Sequence, residues 1–282
     1  MDVRTDVSGI RADLTAEQDA LDAVVAGLPA EQWATPTPSP RWTVADQIAH
    51  LTYFDGTAAL AVRDPDAFTA SLGELVTLLE GGPEAMDDHT LGWARAASPQ
   101  DLLARWRENR ADLADAATGL AEDDRVPWYG PSMGAKSFLT ARLMECWAHG
   151  QDVVDALQGA GIDVERPTTD RLAHIARLGF ITRGWTYVNR GEEPPAAPVR
   201  VVLDAPSGAA WTFGPDDAAD AVTGPAVDFC LVVTQRRHVD ATDLVVTGDA
   251  ARDWMGKAQA FAGPPTDGPS PDDPDLNPGA PT

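Results

Sequence analysis

The stretch "MECWAHGQDVVDAL", from Met144 to Leu157, places a glutamate and a histidine four positions apart within an apolar run that predicts a helix. Residues i and i+4 share one face of an α-helix, so Glu145 and His149 point the same way and can bind one metal ion. Arg142 and Asp152 fall on the same arc. The alternative is therefore an ordinary amphipathic helix whose polar arc faces water.

A second segment, "RWTVADQIAHLTYFDG", adds another candidate ligand. His50 lies beside an apolar stripe of this predicted helix, and that position alone favours a core or boundary histidine. Two adjacent helices of a bundle can nevertheless project His50 against Glu145 and His149. Two imidazoles and one carboxylate leave coordination positions open, as catalytic metal sites require and structural zinc sites do not.

Other ionisable side chains lie near these three in the sequence. Asp46 and Asp152 are one turn or less from His50 and His149, so each is able to orient an imidazole through a hydrogen bond. The alternative is that both are exposed carboxylates, as most aspartates are. Cys146 points about 100 degrees away from its neighbour Glu145 on the helix, so we do not expect it to be a ligand.

Helical patterns continue to about residue 160 and fit four helices. The first spans about Asp6 to Gly27, and the second follows Thr43 and Asp46, which are spaced as a capping pair. Ser98 is a good N-cap for the third helix. The fourth helix contains the opening stretch and follows the loop "WYGPSMGAKS", in which Ser137 is the expected cap. Four amphipathic helices of this length predict a helix bundle.

Beyond Gly161 the pattern changes to mixed α/β. A helix is predicted at 168–190, and two strands surround the Ser207-Gly208 turn in "APVRVVLDAPSGAAWTFGP". A strand near 221–223 and a helix behind Gly224-Pro225 follow. The segment "DLVVTGDAARDWMGKAQAFAG" predicts a last strand and a last helix.

The predicted fold is therefore α+β, with two domains and a tail. A four-helix bundle occupies residues 1–160, and a smaller α/β domain occupies 161–263. The remaining segment, 264–282, consists mainly of Pro, Gly and Asp and predicts a disordered tail.

Composition and charge exclude several classes of partner. A formal net charge of -23 with only 21 Lys and Arg argues against nucleic acid, because phosphate binding needs clustered cations. The chain contains no apolar run of about 18 residues, so we expect no membrane partner. The first residues, "MDVRTDVSGIRADL", are charged where a signal peptide is apolar, which predicts a cytoplasmic location. Two cysteines are too few for a disulfide framework.

Three segments together resemble a known family: "WTVADQIAHL", "WYGPSMGAKSFLTARLMECWAHGQDVVDAL" and "VDFCLVVTQRRHVDATDLVVTGDAARDWMGKAQAFAG". They are similar to the metal-binding DinB-like four-helix proteins, and among these to an uncharacterised branch related to the mycothiol-dependent maleylpyruvate isomerases. The resemblance implies a DinB-type bundle that holds a divalent metal, usually Zn²⁺, through His50, Glu145 and His149. It also implies a sterol-carrier-like C-terminal domain that helps to close the site, and mycothiol as the thiol.

In that family an arginine of the second domain assists substrate binding. Arg236 and Arg237, in "TQRRH", lie in the matching region, so the resemblance makes them candidate catalytic residues. The alternative is that they are two surface cations at a helix C-terminus, where positive charge is favourable without any ligand.

We therefore predict a metal-dependent thiol transferase or isomerase, monomeric or homodimeric, acting on a small electrophilic substrate. A free thiol is mostly protonated at neutral pH, and a metal ion deprotonates a thiol that coordinates it. Two alternatives come from other classes. One is a non-catalytic metal-binding or sensing protein, and the other is a metal-dependent hydrolase that uses bound water.

Overall fold

The computed structural model describes residues 6–80 and 82–271, without side-chain detail for 74–80 and 83. The chain divides into two compact units, the first ending at Arg166 and the second beginning at Pro167. The sequence places this boundary at residue 160. The first unit extends further because Ile162 and Val164 pack against its hydrophobic core.

The described part of the first unit contains six α-helices. They are α1 Val7–Val25, α2 Val44–Arg63, α3 Pro65–Glu80, α4 Gly82–Arg95, α5 Pro99–Ala116 and α6 Ala135–Gly159. Helix α2 packs against α5 and α6, and α1 packs against α6. These four long helices are the predicted bundle, whereas α3 and α4 were not predicted. A two-stranded hairpin of β1 Arg125–Val126 and β2 Met133–Gly134 precedes α6.

Local capping starts two bundle helices where the sequence predicts. The Thr43 hydroxyl accepts from the Asp46 N–H, and the Asp46 carboxylate accepts from the Thr43 N–H, which completes a capping box at α2. Ser98 caps α5 in the predicted way. The predicted cap Ser137 is wrong for α6. That helix begins at Ala135 after Gly134, and the Ala135 N–H donates to the Asp124 backbone carbonyl rather than to a side-chain cap.

One hydrophobic core joins the bundle helices. Its members come from α1, α2, α5 and α6, with Leu91 and Ala94 from α4, and include Leu21, Ile48, Leu51, Leu102, Trp106 and Val153. Burying each aliphatic side chain of this size contributes about 1.5–3 kcal/mol. The core therefore holds α2 beside α6, the two helices that carry the candidate ligands.

The second unit combines four helices and one sheet in its described residues. The helices are α7 Leu172–Ile181, α8 Arg183–Asn189, α9 Ala226–Val233 and α10 Asp249–Met255. The strands are β3 Val199–Asp204, β4 Ala210–Phe213, β5 Asp220–Pro225 and β6 Val245–Thr247, in the order β4-β3-β5-β6. Strands β3 and β5 are parallel, and the other pairs are antiparallel.

Two details of the second unit differ from the predicted elements. The single helix expected at 168–190 is interrupted at Thr182 and forms α7 and α8. At the start of the predicted disordered tail, Thr266 donates its N–H to Gln259, and its carbonyl accepts from Gln235. The rest of the predicted tail, 272–282, lies outside the described residues.

The predicted β3–β4 turn is present, and Gly208 adopts a φ of 82° that favours glycine. Within the described residues, no helix combines the length and the apolar character that crossing a bilayer requires.

Candidate metal centre

Helices α2 and α6 bring His50, Glu145 and His149 together. Each offers one donor atom, and these three atoms lie within 4.8 Å of one another. Glu145 Oε2 is 3.6 Å from His50 Nε2 and 3.0 Å from His149 Nε2. Two imidazoles and a carboxylate are a donor set that zinc and related divalent cations accept. The residues thus fit a metal ion in both chemistry and spacing.

The three side chains are partly accessible to solvent. The exposed fraction is 17% for His50, 25% for Glu145 and 12% for His149. Trp42 stacks on the His149 ring at 5.8 Å between centroids, and Phe54 lies 4.6 Å from the His50 ring. The aromatic rings restrict how far the imidazoles can turn, while the remaining exposure lets a small molecule reach the cluster.

Electrostatics in the cluster favour the metal-binding forms of two ligands. Burial lowers the pKa of His50 to about 4, and the neighbouring His149 adds to this effect. At neutral pH the His50 ring is therefore uncharged and has a lone pair to donate. Burial alone raises the pKa of Glu145, but hydrogen bonds and charge from His149 and His50 outweigh it and hold that pKa well below its usual range.

Gln47 is a member of the site that sequence reasoning missed. Its Oε1 lies 2.6 Å from His149 Nδ1, and its side chain is completely buried. Helical spacing could have indicated Gln47, because it lies three residues before His50 and so shares the same face of α2. The spacing cannot show, however, that Gln47 contacts a histidine on another helix.

The structure contradicts the idea that the polar arc on α6 faces water. Arg142 and Asp152 are each only 3% exposed. Arg142 donates to the Asp55 carboxylate of α2 at 3.0 Å, and Asp152 accepts from the Ser39 hydroxyl at 3.2 Å. The arc is polar because it faces polar partners within the protein.

The two aspartates predicted near the histidines are also buried, so the exposed-carboxylate alternative is wrong for both. Asp46 belongs to the α2 capping box and pairs with Arg95 at 2.9 Å. Asp152 Oδ2 lies 3.8 Å from His149 Nδ1, which is too far for a hydrogen bond. Asp152 therefore does not orient the His149 ring through a hydrogen bond.

Both cysteines are buried inside their units. Burial raises the pKa of Cys146 well above its usual value, and it also raises the pKa of Cys230. Cys146 is absent from the group of potential ligands, as the helix geometry predicts. Neither thiol has the low pKa of a reactive cysteine.

Arg236 and Arg237 belong to the second unit, just beyond α9. The Arg236 side chain donates to the Thr234 carbonyl at 2.8 Å, and the Arg237 side chain donates to the Arg236 carbonyl at 2.7 Å. Both are partly buried. Of these two contacts, only the Arg236 contact reaches the C-cap residue of α9, and the predicted catalytic role of the two arginines remains a proposal.

Comparison with protein families identifies the first unit. A family model described as the mycothiol maleylpyruvate isomerase N-terminal domain matches residues 14–154, half of the chain, including all three candidate ligands. The chain belongs to this family. A second model, described as wyosine base formation, matches residues 195–248 in the sheet-containing unit.

Two curated relatives come from Mycobacterium tuberculosis. Uncharacterized protein MT0041 of strain CDC 1551 / Oshkosh and uncharacterized protein Rv0036c of strain ATCC 25618 / H37Rv are each 47% identical to this chain over 254 residues. Each alignment covers 90% of this chain and 95% of the relative. The similarity to these two relatives thus extends across both units.

Solved structures with the same fold include two of the mycothiol-dependent maleylpyruvate isomerase, one of them a histidine-to-alanine mutant. Each superposes with a TM-score of 0.53 at 16% identity and covers 81% of this chain and 88% of the isomerase chain. The fold is therefore the DinB-like fold of that isomerase: a helical unit and a small sheet-containing unit.

Proposed function

We propose that this protein is a metal-dependent enzyme that activates a low-molecular-weight thiol, mycothiol or a similar one, against a small electrophilic substrate. The metal is a divalent cation, with Zn²⁺ the best match to the donor set. The observation that carries the proposal is the convergence of His50, Glu145 and His149 in a chain of the mycothiol maleylpyruvate isomerase family.

The charge of the ligand set suits thiol activation. Glu145 supplies the single negative charge, and neutral His50 supplies none, so a divalent cation held here leaves the site net positive. The chemistry that such a cation supplies when bound is deprotonation of a nearby thiol at neutral pH. Trp42 and Phe54 lie against the imidazoles and reduce the access of water.

The nucleophile in this proposal comes from outside the protein, because Cys146 and Cys230 are buried thiols with raised pKa values. The thiolate sulfur forms a C–S bond to an electrophilic carbon of the substrate, and an electron pair moves to the adjoining acceptor group. Rotation about the resulting single bond, followed by cleavage of the C–S bond, isomerises the substrate and returns the thiolate. If the C–S bond is retained, the anion formed by the addition takes up the proton that the thiol released, and the product is a thiol adduct instead.

Arg236 and Arg237 are proposed to assist substrate binding, as the family resemblance implies. Both carry a permanent positive charge, which suits an anionic group of the substrate. Replacing each singly with lysine and with alanine separates charge from guanidinium geometry. A role in binding predicts a higher KM in the alanine variant of the residue concerned, with unchanged zinc affinity.

The experiment that tests the function is incubation of the zinc-loaded protein with mycothiol and a panel of small electrophiles, followed by mass spectrometry. We expect an isomer or a thiol adduct to accumulate above the level of the metal-free protein and of the His149→Ala variant. His89→Ala is the matched control, because His89 is exposed and lies outside the cluster. A product formed by cleavage with addition of water, in equal amounts without thiol, indicates hydrolysis, and no product above the metal-free control contradicts the proposal.

A further inference from the structure

A chain of hydrogen bonds runs from the backbone at Trp42 to the His149 ring. The Thr37 hydroxyl donates to the Trp42 carbonyl at 3.0 Å, and the Gln47 amide nitrogen donates to the Thr37 oxygen at 2.9 Å. Gln47 Oε1 then lies 2.6 Å from His149 Nδ1. The Thr37 N–H also donates to the Trp42 carbonyl, at 2.8 Å, which holds Thr37 in place.

The direction of every bond in this chain follows from its first member. A carbonyl oxygen can only accept, so the Thr37 hydroxyl donates its hydrogen to the Trp42 carbonyl. The Thr37 oxygen then offers a lone pair to Gln47. The NH₂ end of the Gln47 amide must face that lone pair, and its carbonyl end must face His149. Since the amide carbonyl only accepts, His149 Nδ1 carries a hydrogen in this 2.6 Å contact.

We propose that Gln47, oriented by Thr37, is a positioning residue that selects the His149 tautomer with a free lone pair on Nε2. This inference rests on the proposed function and deepens it, because Nε2 is the atom that lies 3.0 Å from Glu145 Oε2 inside the candidate centre. With a hydrogen on Nδ1 alone, both atoms present lone pairs to the same point, an arrangement that holds when a cation takes the place of the Nε2 hydrogen. Two converging lone pairs attract a cation. In the other tautomer, the hydrogen on Nε2 occupies the place where the cation would bind.

Asp152 is the competing acceptor for the His149 ring, and its distance excludes it. Its Oδ2 lies 3.8 Å from His149 Nδ1, against 2.6 Å for Gln47 Oε1. The Ser39 hydroxyl donates to the same Asp152 oxygen. Ser39→Ala therefore removes a neighbouring hydroxyl without touching the chain from Thr37 to His149, which makes it the matched control.

The role of Thr37 depends on the amide character of residue 47. Without the Thr37 hydroxyl, the Gln47 amide is free to turn over and donate its NH₂ to His149 Nδ1, which places the ring hydrogen on Nε2. A glutamate at position 47 has no donor end when ionised, so it needs no such orientation. Thr37→Val is thus expected to matter in the natural sequence and not in a Gln47→Glu background.

The test is zinc affinity of the full-length protein, measured by competition with a chromophoric chelator. We expect Gln47→Leu to weaken binding by about 10–100-fold, as loss of an outer partner of a metal histidine typically does, and Thr37→Val by about tenfold. Gln47→Glu should retain tight binding, and adding Thr37→Val to it should change the affinity less than about twofold. Equal losses from Thr37→Val in both backgrounds, or a Ser39→Ala loss as large as that of Gln47→Leu, overturn the inference.

A second measurement needs no substitution at position 47. Long-range ¹H–¹⁵N spectra of the metal-free protein, labelled at histidine nitrogen, report which ring nitrogen carries hydrogen. His149→Gln identifies the His149 signals. Hydrogen on Nδ1 is expected, whether or not Nε2 also carries one toward Glu145, and a ring with hydrogen on Nε2 alone overturns the inference. If the unaltered protein binds no zinc, the proposed function fails, yet this spectrum still decides whether Gln47 sets the tautomer.

Discussion

The Arg142 guanidinium of α6 and the Asp55 carboxylate of α2 form a buried ion pair with a 3.0 Å contact, and their side chains are only 4% and 2% exposed. Asp55 also accepts from Gln18 of α1 and from Trp106 of α5. One carboxylate therefore links all four bundle helices. Because Arg142 precedes Glu145 by one turn of α6, the same contact fixes the register between the two ligand-bearing helices.

This pair makes a specific prediction for stability. Asp55→Ala leaves the Arg142 charge buried without its partner, and we expect a loss of about 3–5 kcal/mol in the free energy of unfolding. The double variant Asp55→Leu/Arg142→Met removes both charges, so it should lose less than the single variant. Urea unfolding monitored by tryptophan fluorescence measures both. Arg63→Met is the control, because its pairs with Asp112 and Asp115 are exposed and should leave the midpoint nearly unchanged.

The capping box at α2 predicts a smaller effect. Thr43→Ala removes the hydroxyl that accepts from the Asp46 N–H, which should lower the free energy of unfolding by about 1 kcal/mol. Thr15→Ala is the control, since Thr15 is exposed in the interior of α1 and bonds back to the Arg11 carbonyl. A Thr43→Ala loss no larger than the Thr15→Ala loss contradicts the importance of the cap.

The buried cysteines predict resistance to alkylation. Neither Cys146 nor Cys230 should react with iodoacetamide at pH 8 in the native protein, because burial raises the pKa of both thiols. Both should react fully in guanidinium chloride, which serves as the positive control. Mass spectrometry of the intact chain counts the adducts. Rapid labelling of Cys146 in the native state is the outcome that contradicts an external source for the thiol.

The ligand set predicts how single substitutions affect zinc retention. His50→Ala, Glu145→Ala and His149→Ala each remove one donor, so each should weaken zinc binding more than the about 10–100-fold expected for loss of an outer partner. His89→Ala should retain zinc. Metal analysis after dialysis against a weak chelator measures the zinc that each variant retains. Full retention in both histidine ligand variants contradicts the proposed metal site.

Much of this architecture was predictable because local sequence decides it. Thr43, Asp46 and Ser98 act through residues three positions away, so their capping roles follow from spacing. The pairing of Glu145 with His149 follows from helix geometry. Gly208 predicts the β3–β4 turn because a turn of this kind favours glycine. These features need no knowledge of what packs against them.

The unpredicted features depend on partners distant in the sequence. From the sequence alone, Arg142 is typical of an exposed helix face. Its partner Asp55 lies 87 residues away in the chain, and only the fold brings the two together. The contact of Gln47 with His149 spans 102 residues. Helices α3 and α4 were missed between the second and third predicted helices, where Asp64 is the C-cap of α2, α3 begins at Pro65 and α4 begins at Gly82. Patterns within one segment do not report such contacts.

The central claim is that His50, Glu145 and His149 bind one divalent cation between them. The most direct measurement is anomalous diffraction at the zinc edge from crystals of the full-length protein loaded with one equivalent of Zn²⁺. We predict a single strong peak at about 2.0–2.2 Å from His50 Nε2, Glu145 Oε2 and His149 Nε2. A zinc peak elsewhere in the molecule, with the His50 ring turned away from the other two residues, contradicts the claim.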